Sequence, residues 1–431
     1  MKVCLVNKFH WRKGGSETYY FNLAEALKTM GHEVACFAMD SSENEPCEQS
    51  KYFVSMRDYN GDTSLVKKLR DGAALIYSLE ARRKFNDLLE EFQPDIIHLN
   101  LVHRQLTFSI LDAPYLKSHM VPVVYTAHDY IPVCPGCTML DGAGEVCDDC
   151  LKGSFMPCVR KRCVKGSRAK SVLAAAEAAF LKRHGSYWKI DRIIAPSEYM
   201  RAKLVDGGFP YEQVVAMQNF AKDEALDRAR STEDKTDREN PYVLYFGRLS
   251  KEKGVDVLIR AFLSISDEIP QEWRLVIAGE GPERAELEEL LENHRSAHRI
   301  ELVGFRKADE MRVLAERAAL AIASSRWREN MPYSVIESFA AGTPVIASRI
   351  GGLPELVKEG GTGFLAEPGS VEFLAEALRR GIELCTDLYE YRAMQQRCRD
   401  YVVERCDQER YMSELVSLYE SLSLQRLVAV C

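Results

Sequence analysis

The sequence predicts an α/β protein built from two doubly wound, Rossmann-like domains. Short apolar, β-rich runs alternate with helical stretches from one end to the other, and the alternation restarts after a charged stretch near the middle. At 431 residues the chain is also too long for one ordinary core. Strands that are apolar almost throughout, separated by helices, belong to parallel sheets covered on both faces.

In the first half the runs 3–7, 33–38, 96–101, 121–127 and 192–196 read as strands. Segment 17–30 between the first two is amphipathic and stops at Gly31, as a helix with a glycine end should. The stretch 222–241, KDEALDRARSTEDKTDRENP, is dominated by charge, and its place before a new strand reads as an interdomain connection. Strands resume at 242–246, 274–278, 300–303, 320–323, 343–347 and 363–366, and segment 409–427 is helical in pattern. The reading is therefore an N-terminal domain 1–220 with a cysteine-rich insert at 134–163, a linker 221–241, a C-terminal domain 242–405 and a closing helical segment 406–431. Doubly wound sheets bind ligands outside the carboxyl ends of their strands, which points to a cleft between two facing domains.

Composition narrows the function. A hydrophobic content of 46% and a charged content of 28% are those of a water-soluble protein, and no apolar run approaches the roughly 18 residues of a membrane span. The start, MKVCLVN, runs too quickly into charge and glycine for a secretory signal and reads as a buried strand. With thirteen cysteines, this fits a reducing cytoplasm. A net charge of -7 and a pI near 5.9 argue against nucleic acid as the main partner. The exception is local: Lys152, Arg160, Lys161, Arg162, Lys165, Arg168 and Lys170 follow one another with no acid among them.

The candidate chemistry lies at strand ends. Glu329 and Glu337 stand with seven residues between them around Asn330, Met331 and Pro332. Pro332 suits a first helical turn and Glu337 is expected to open the helix, leaving free amides for a hydroxyl-rich or anionic ligand. The loop FGRLSKEKG at 246–254 offers Arg248 and Lys253 directly after a strand, as a diphosphate site requires. Lys13, Gly14, Gly15 and Ser16 follow the first strand, where paired glycines let the backbone approach a ligand closely. His128 and Asp129 close the strand at 121–127.

The run RWRENMPYSVIESFAAGTPVIASRIGGLPE at 326–355, with FGRLSKEKG, resembles the signature of the family-4 retaining glycosyltransferases, and the likeness extends along most of the chain. It implies the GT-B fold, with two facing Rossmann-like domains and a closing helix that crosses back onto the first. It further implies a donor site of Glu329 and Glu337 on the sugar and ribose of a nucleotide-sugar, joined by Asn330, Met331, Pro332, Gly352 and Leu353. Arg248 and Lys253 neutralise the diphosphate and the leaving group, and Gly15 makes a backbone contact. His128 helps to shape the transferring centre, so the catalytic set is His128, Arg248, Lys253 and Glu329. Gly14 and Asp129 face the acceptor, and Asn219 stands at the domain junction. The reaction implied is retaining transfer of a sugar to a hydroxyl of a glycan or lipid-linked acceptor, in cell-surface polysaccharide or glycoconjugate synthesis.

No Asp-x-Asp triplet occurs, which agrees with Arg248 and Lys253 acting in place of a metal ion and with no cofactor being required for catalysis. Rival readings are a nucleotide-sugar epimerase or phosphorylase of the same architecture, and a zinc-containing nucleic-acid binder. The basic 152–170 segment suits an anionic bilayer at the inner face of the membrane, or an ordinary solvated loop. Cys134, Cys137, Cys147, Cys150, Cys158 and Cys163 include two CxxC units. Four of the six, Cys147 and Cys150 among them, are expected to bind one structural zinc, against reduced packing thiols or disulfides.

Overall fold

A computed structural model describes residues 1–56, 72–231, 236–237, 239–292 and 294–430, without the side chains of 427–430. The chain forms two units, 1–217 together with 409–431, and 218–408. Among the described residues no helix is long and apolar enough to cross a membrane.

Runs such as IIHL and LAIA lie buried along their whole length, and their backbone groups can pair only with neighbours on either side. In the first unit β1 (Lys2–Val6), β2 (Glu33–Phe37), β5 (Ile96–Leu99), β6 (Val123–Thr126), β7 (Arg192–Ala195) and β8 (Val214–Ala216) form one parallel sheet, ordered β2-β1-β5-β6-β7-β8. A two-residue pair, β3 (Met39–Asp40) and β4 (Val54–Ser55), stands apart. The second unit repeats the plan with β9 (Tyr242–Phe246), β10 (Arg274–Ala278), β11 (Ile300–Gly304), β12 (Leu320–Ala323), β13 (Val345–Ser348) and β14 (Gly363–Ala366), ordered β11-β10-β9-β12-β13-β14. Strand order reverses between β1 and β5 in one sheet and between β9 and β12 in the other, the positions at which doubly wound sheets bind their ligands.

One expected element is corrected. The stretch read as the linker 221–241 contains a helix, Asp223–Arg230, that belongs to the second unit. Its Ala225, Leu226 and Ala229 join the core formed by Val335, Ile336 and Phe339 with Cys398 and Val402. Two alanines and a leucine on one face suffice to dock it, and the charges occupy the other face. Residues 232–235 and 238 of that stretch lie outside the described residues. β8 was not anticipated either, being three residues long.

The last helix, Gln408–Val430, packs within the first unit. Tyr411 Oη lies 2.6 Å from Tyr19 Oη, Tyr419 Oη 2.5 Å from His98 Nδ1, and Arg426 pairs with Asp191 at 2.6 Å. Thr126 completes the buried chain, 2.7 Å from His98 Nε2 and 3.3 Å from Tyr19 Oη.

Candidate active site

The second unit gathers its polar groups at the β9/β12 reversal. β9 runs into an exposed Arg248, and the turn Lys251–Lys253 ends at Lys253. From the end of β12 the chain returns through Ser325 and Trp327 to Glu329, which is 5% exposed. Lys253 Nζ and Ser325 Oγ each approach Glu329 Oε1 at 2.5 Å. A nearly buried carboxylate held by one ammonium and one hydroxyl is an acceptor fixed in place, with its second oxygen available to a ligand. Lys253 also lies 5.2 Å from the Trp327 ring. Trp327 was missed by the sequence reading; its indole Nε1 is buried and has no protein partner among the described residues, a donor positioned beside the same pair.

The loop 351–353 is bound to the backbone of Glu329. Gly352 N donates to Glu329 O at 2.7 Å, and a Cβ on Gly351, at φ +62, would stand 2.2 Å from that same oxygen. Only glycine fits there. Met331 is buried, and Asn219 of the same unit donates from Nδ2 to Met331 O at 2.9 Å. This fixes the segment Asn330 to Pro332 ahead of the helix.

That helix, Tyr333–Ala340, has Pro332 as its cap, and Glu337 sits in its middle rather than opening it as expected. The reason is local: Pro332 is extended, and helical geometry begins only after it. Glu337 is therefore set apart from Glu329. Burial pushes its carboxyl up to about 7, against the opposing pull of Arg228 from the helix Asp223–Arg230. One glutamate is ion-paired; the other is a carboxyl poised near neutrality.

In the first unit the ends of β1, β5 and β6 carry the remaining candidates. Gly14 caps the helix Gly15–Thr29, and both glycines are exposed. His128 Nε2 donates to Asn100 Oδ1 at 2.9 Å, its ring lies 5.1 Å from Tyr19, and burial pushes its pKa down to about 3. It is a neutral imidazole at physiological pH. Asp129 accepts from Ile131 N at 3.0 Å, and burial raises its pKa. Around it stand Lys8, lowered by burial, Glu17, raised by burial, and Arg104, which pairs with Glu177 at 3.3 Å. None of these four was singled out in the sequence. The signal available was weak, since each stands alone in its stretch; Arg104 has a φ of +70, which no spacing announces.

Five of the six clustered cysteines, Cys134, Cys147, Cys150, Cys158 and Cys163, line one small cavity with Val133, Met139 and Leu151. Cys137 does not, and lies in the field of Asp129 and Arg104 instead. All six are free thiols. No three of them bring their sulfurs within 4.8 Å of one another.

Both halves of the chain match families of known proteins. Residues 13–224 match the sequence model described as Glycosyltransferase Family 4, and residues 227–399 that of Glycosyl transferases group 1. The chain is 26% identical over 214 residues to N-acetyl-alpha-D-glucosaminyl L-malate synthase of Bacillus anthracis, covering 49% of this chain and 54% of that protein. It is 28% identical over 177 residues to alpha-D-kanosaminyltransferase of Streptomyces kanamyceticus, covering 40% and 45%. The chain thus spans about half the length of these relatives. Among solved structures, Anabaena HepE in complex with UDP-glucose superimposes with a TM-score of 0.65 at 17% identity, over 98% of this chain and all of that one. With both halves matched in order, the chain belongs to the family-4 glycosyltransferases and has their GT-B fold.

Proposed function

We propose that this protein transfers a sugar from a nucleotide-sugar, with retention at the anomeric carbon, to a hydroxyl of a glycan or lipid-linked acceptor in cell-surface polysaccharide or glycoconjugate synthesis. The observation that carries the reading is the Lys253–Glu329 pair beside Trp327 at the β9/β12 reversal, with Arg248 exposed in the loop that follows β9. Related structures were solved with UDP and UDP-glucose, so uridine diphosphate sugars are the first donors to try.

In this reading the donor diphosphate lies against Arg248 and Lys253, and Glu329 accepts from sugar hydroxyls with Trp327 Nε1 as a donor beside it. Glu337 accepts from the ribose. Asn330, Met331, Pro332, Gly352 and Leu353 supply backbone contacts. The acceptor oxygen bonds to the anomeric carbon as the carbon–oxygen bond to the phosphate breaks, on the same face. The acceptor proton passes to the departing phosphate oxygen, and the nucleoside diphosphate leaves with its charge held by the two cations. His128 is neutral and contributes a hydrogen bond rather than a proton. Gly14, Gly15 and Asp129 lie on the acceptor-selecting unit. No metal or other cofactor takes part in the transfer.

Two ancillary roles belong to the same reading. Four of the six clustered thiols, Cys147 and Cys150 among them, would hold a structural zinc, which requires sulfurs of which no three now lie within 4.8 Å of one another to draw together. All seven cations of 152–170 are exposed, and Met156 between them is 54% exposed, which suits contact with an anionic bilayer at the inner face of the membrane.

The test is a panel of nucleotide-sugars screened by thermal stabilisation, then by nucleoside diphosphate release with and without hydroxyl acceptors. Acceptor-dependent release with the product anomer matching the donor is expected. Turnover without acceptor, or inversion, would overturn the proposal.

A further inference from the structure

Away from the residues assigned so far, three chain segments bring His10, Cys36 and Cys47 together. His10 lies in the loop after β1, Cys36 on β2, and Cys47 just before the helical turn Glu48–Tyr52. One ring nitrogen of His10 and the two sulfurs all lie within 4.8 Å of one another, the only such group of three among the described residues. His10 and Cys36 are 4% and 6% exposed, and Cys47 is partly exposed. Both cysteines are free thiols.

We propose that His10, Cys36 and Cys47 form a zinc site, distinct from the cysteine-rich insert, with its fourth position on the open side beside Cys47. The donor set selects the metal: two thiolates and an imidazole suit a soft or borderline ion and reject calcium and magnesium. Zinc–sulfur bonds of about 2.3 Å and zinc–nitrogen bonds of about 2.0 Å draw such a triangle in by less than an ångström or so. The surroundings are those of a metal ligand. His10 Nδ1 lies 2.9 Å from Tyr20 Oη, an outer-shell contact that, with Nδ1 donating, turns the Nε2 lone pair to the metal. Phe21 and Phe53 pack on the imidazole with centroids at 5.3 and 5.4 Å; the Cys47 thiol donates to Gln49 Oε1 at 3.4 Å, a bond that metal ligation would replace. Three protein ligands leave one position for water or an added ligand.

The site would act as a clamp. Glu45 N already donates to His10 O at 2.8 Å, and Arg12 pairs with Glu45 at 3.3 Å, so the loop bearing Gly14 and Gly15 rests on the 41–47 segment. A metal bridging His10 to Cys36 and Cys47 fixes that loop to β2 covalently in effect, which neither hydrogen bond does.

The experiment uses the full chain, purified reduced and without chelator, then equilibrated with buffered zinc. Metal analysis is expected to give one more zinc per chain in the wild type than in Cys36→Ser/Cys47→Ser, whether or not the 134–163 cluster also binds. Because the buried Cys36 variant can fail to fold, a second measurement needs no variant: residue-resolved alkylation read by peptide mass spectrometry. Zinc is expected to slow alkylation of Cys36 and Cys47 at least tenfold, chelator to restore it, and His10→Gln to weaken the protection. Equal zinc content in the folded double variant and the wild type, zinc-independent alkylation, or a Cys36–Cys47 disulfide persisting in reductant would each overturn the proposal.

Discussion

The reversal points of the two sheets are built by different means. At β9/β12 three short stretches, 246–254, 324–337 and 351–353, supply the candidate donor groups, each beside its own strand end. At β1/β5 the groups come singly, as Lys8, Glu17, Asn100, Arg104, His128, Asp129 and Glu177, and the strands beneath are pinned by a helix from the other end of the chain. The groups at β9/β12 come from residues at fixed local spacing; those at β1/β5 are brought together only by the tertiary fold. The first arrangement is a motif, the second a place.

The largest expected effect tests the donor side. Lys253→Ala should lower kcat by about 10²- to 10³-fold, the cost of removing one preorganised charge from a departing diphosphate. Because that change also strands the nearly buried Glu329, Lys253→Ala/Glu329→Gln should lose less than the two single losses combined. Steady-state kinetics on all three variants reads the coupling, and strictly additive losses would mean that the 2.5 Å pair is incidental.

Next come Glu329→Gln and Glu337→Gln, each expected to cost about 1.5 to 3 kcal/mol in kcat/KM, roughly ten- to a hundredfold. Wild-type transfer in both folded variants would remove the donor assignment.

A smaller effect separates the two glutamates. Glu337 titrates near 7, so nucleotide-sugar affinity should climb with pH up to about 7 and then level off, as the ionised carboxylate is the better acceptor. The sign for the free protein is opposite. The folded state keeps this proton above the unfolded value near 4.5, so its contribution to stability falls as pH rises from there towards 7. Calorimetric titration with a nucleotide-sugar, whose diphosphate has no terminal group titrating nearby, should show the midpoint in wild type and lose it in Glu337→Gln.

The smallest effect belongs to the first unit. Tyr419→Phe leaves His98 Nδ1 buried without its 2.5 Å partner and should cost about 1 to 2 kcal/mol of stability with kcat little changed. Denaturant unfolding measures the first and transfer assays the second; a loss of activity without a loss of stability would bring the helix into the chemistry.

Much of the sheet plan was legible, because strands buried on both faces must be apolar throughout. Four strands of the second unit, Tyr242–Phe246, Arg274–Ala278, Leu320–Ala323 and Gly363–Ala366, begin and end where the pattern places them. The helix Asp223–Arg230 was not legible, since two alanines and a leucine among charges give little apolar signal until a partner surface is known. Glu337 was misplaced within its helix by a proline that caps rather than enters the first turn. For the cysteines, the CxxC spacing announced a cluster but not that Cys137 stays out of the cavity the other five line. Lys8, Arg104 and Glu177 become neighbours only when three strands and a helix are in place, and no one-dimensional pattern contains that.

The closing helix has a consequence for how the protein is made. The second unit is one uninterrupted stretch, 218–408, whereas the first is begun at residue 1 and receives its final helix from 409 onward. During synthesis the second unit can therefore complete its core while Tyr19 and His98 of the first still lack Tyr411 and Tyr419. The usual order, in which the earlier segment matures first as the chain emerges, is reversed. The unit begun first is finished last, and a nascent chain that stops near residue 408 carries a complete second unit and a first unit whose Tyr19 hydroxyl and His98 imidazole still lack their partners.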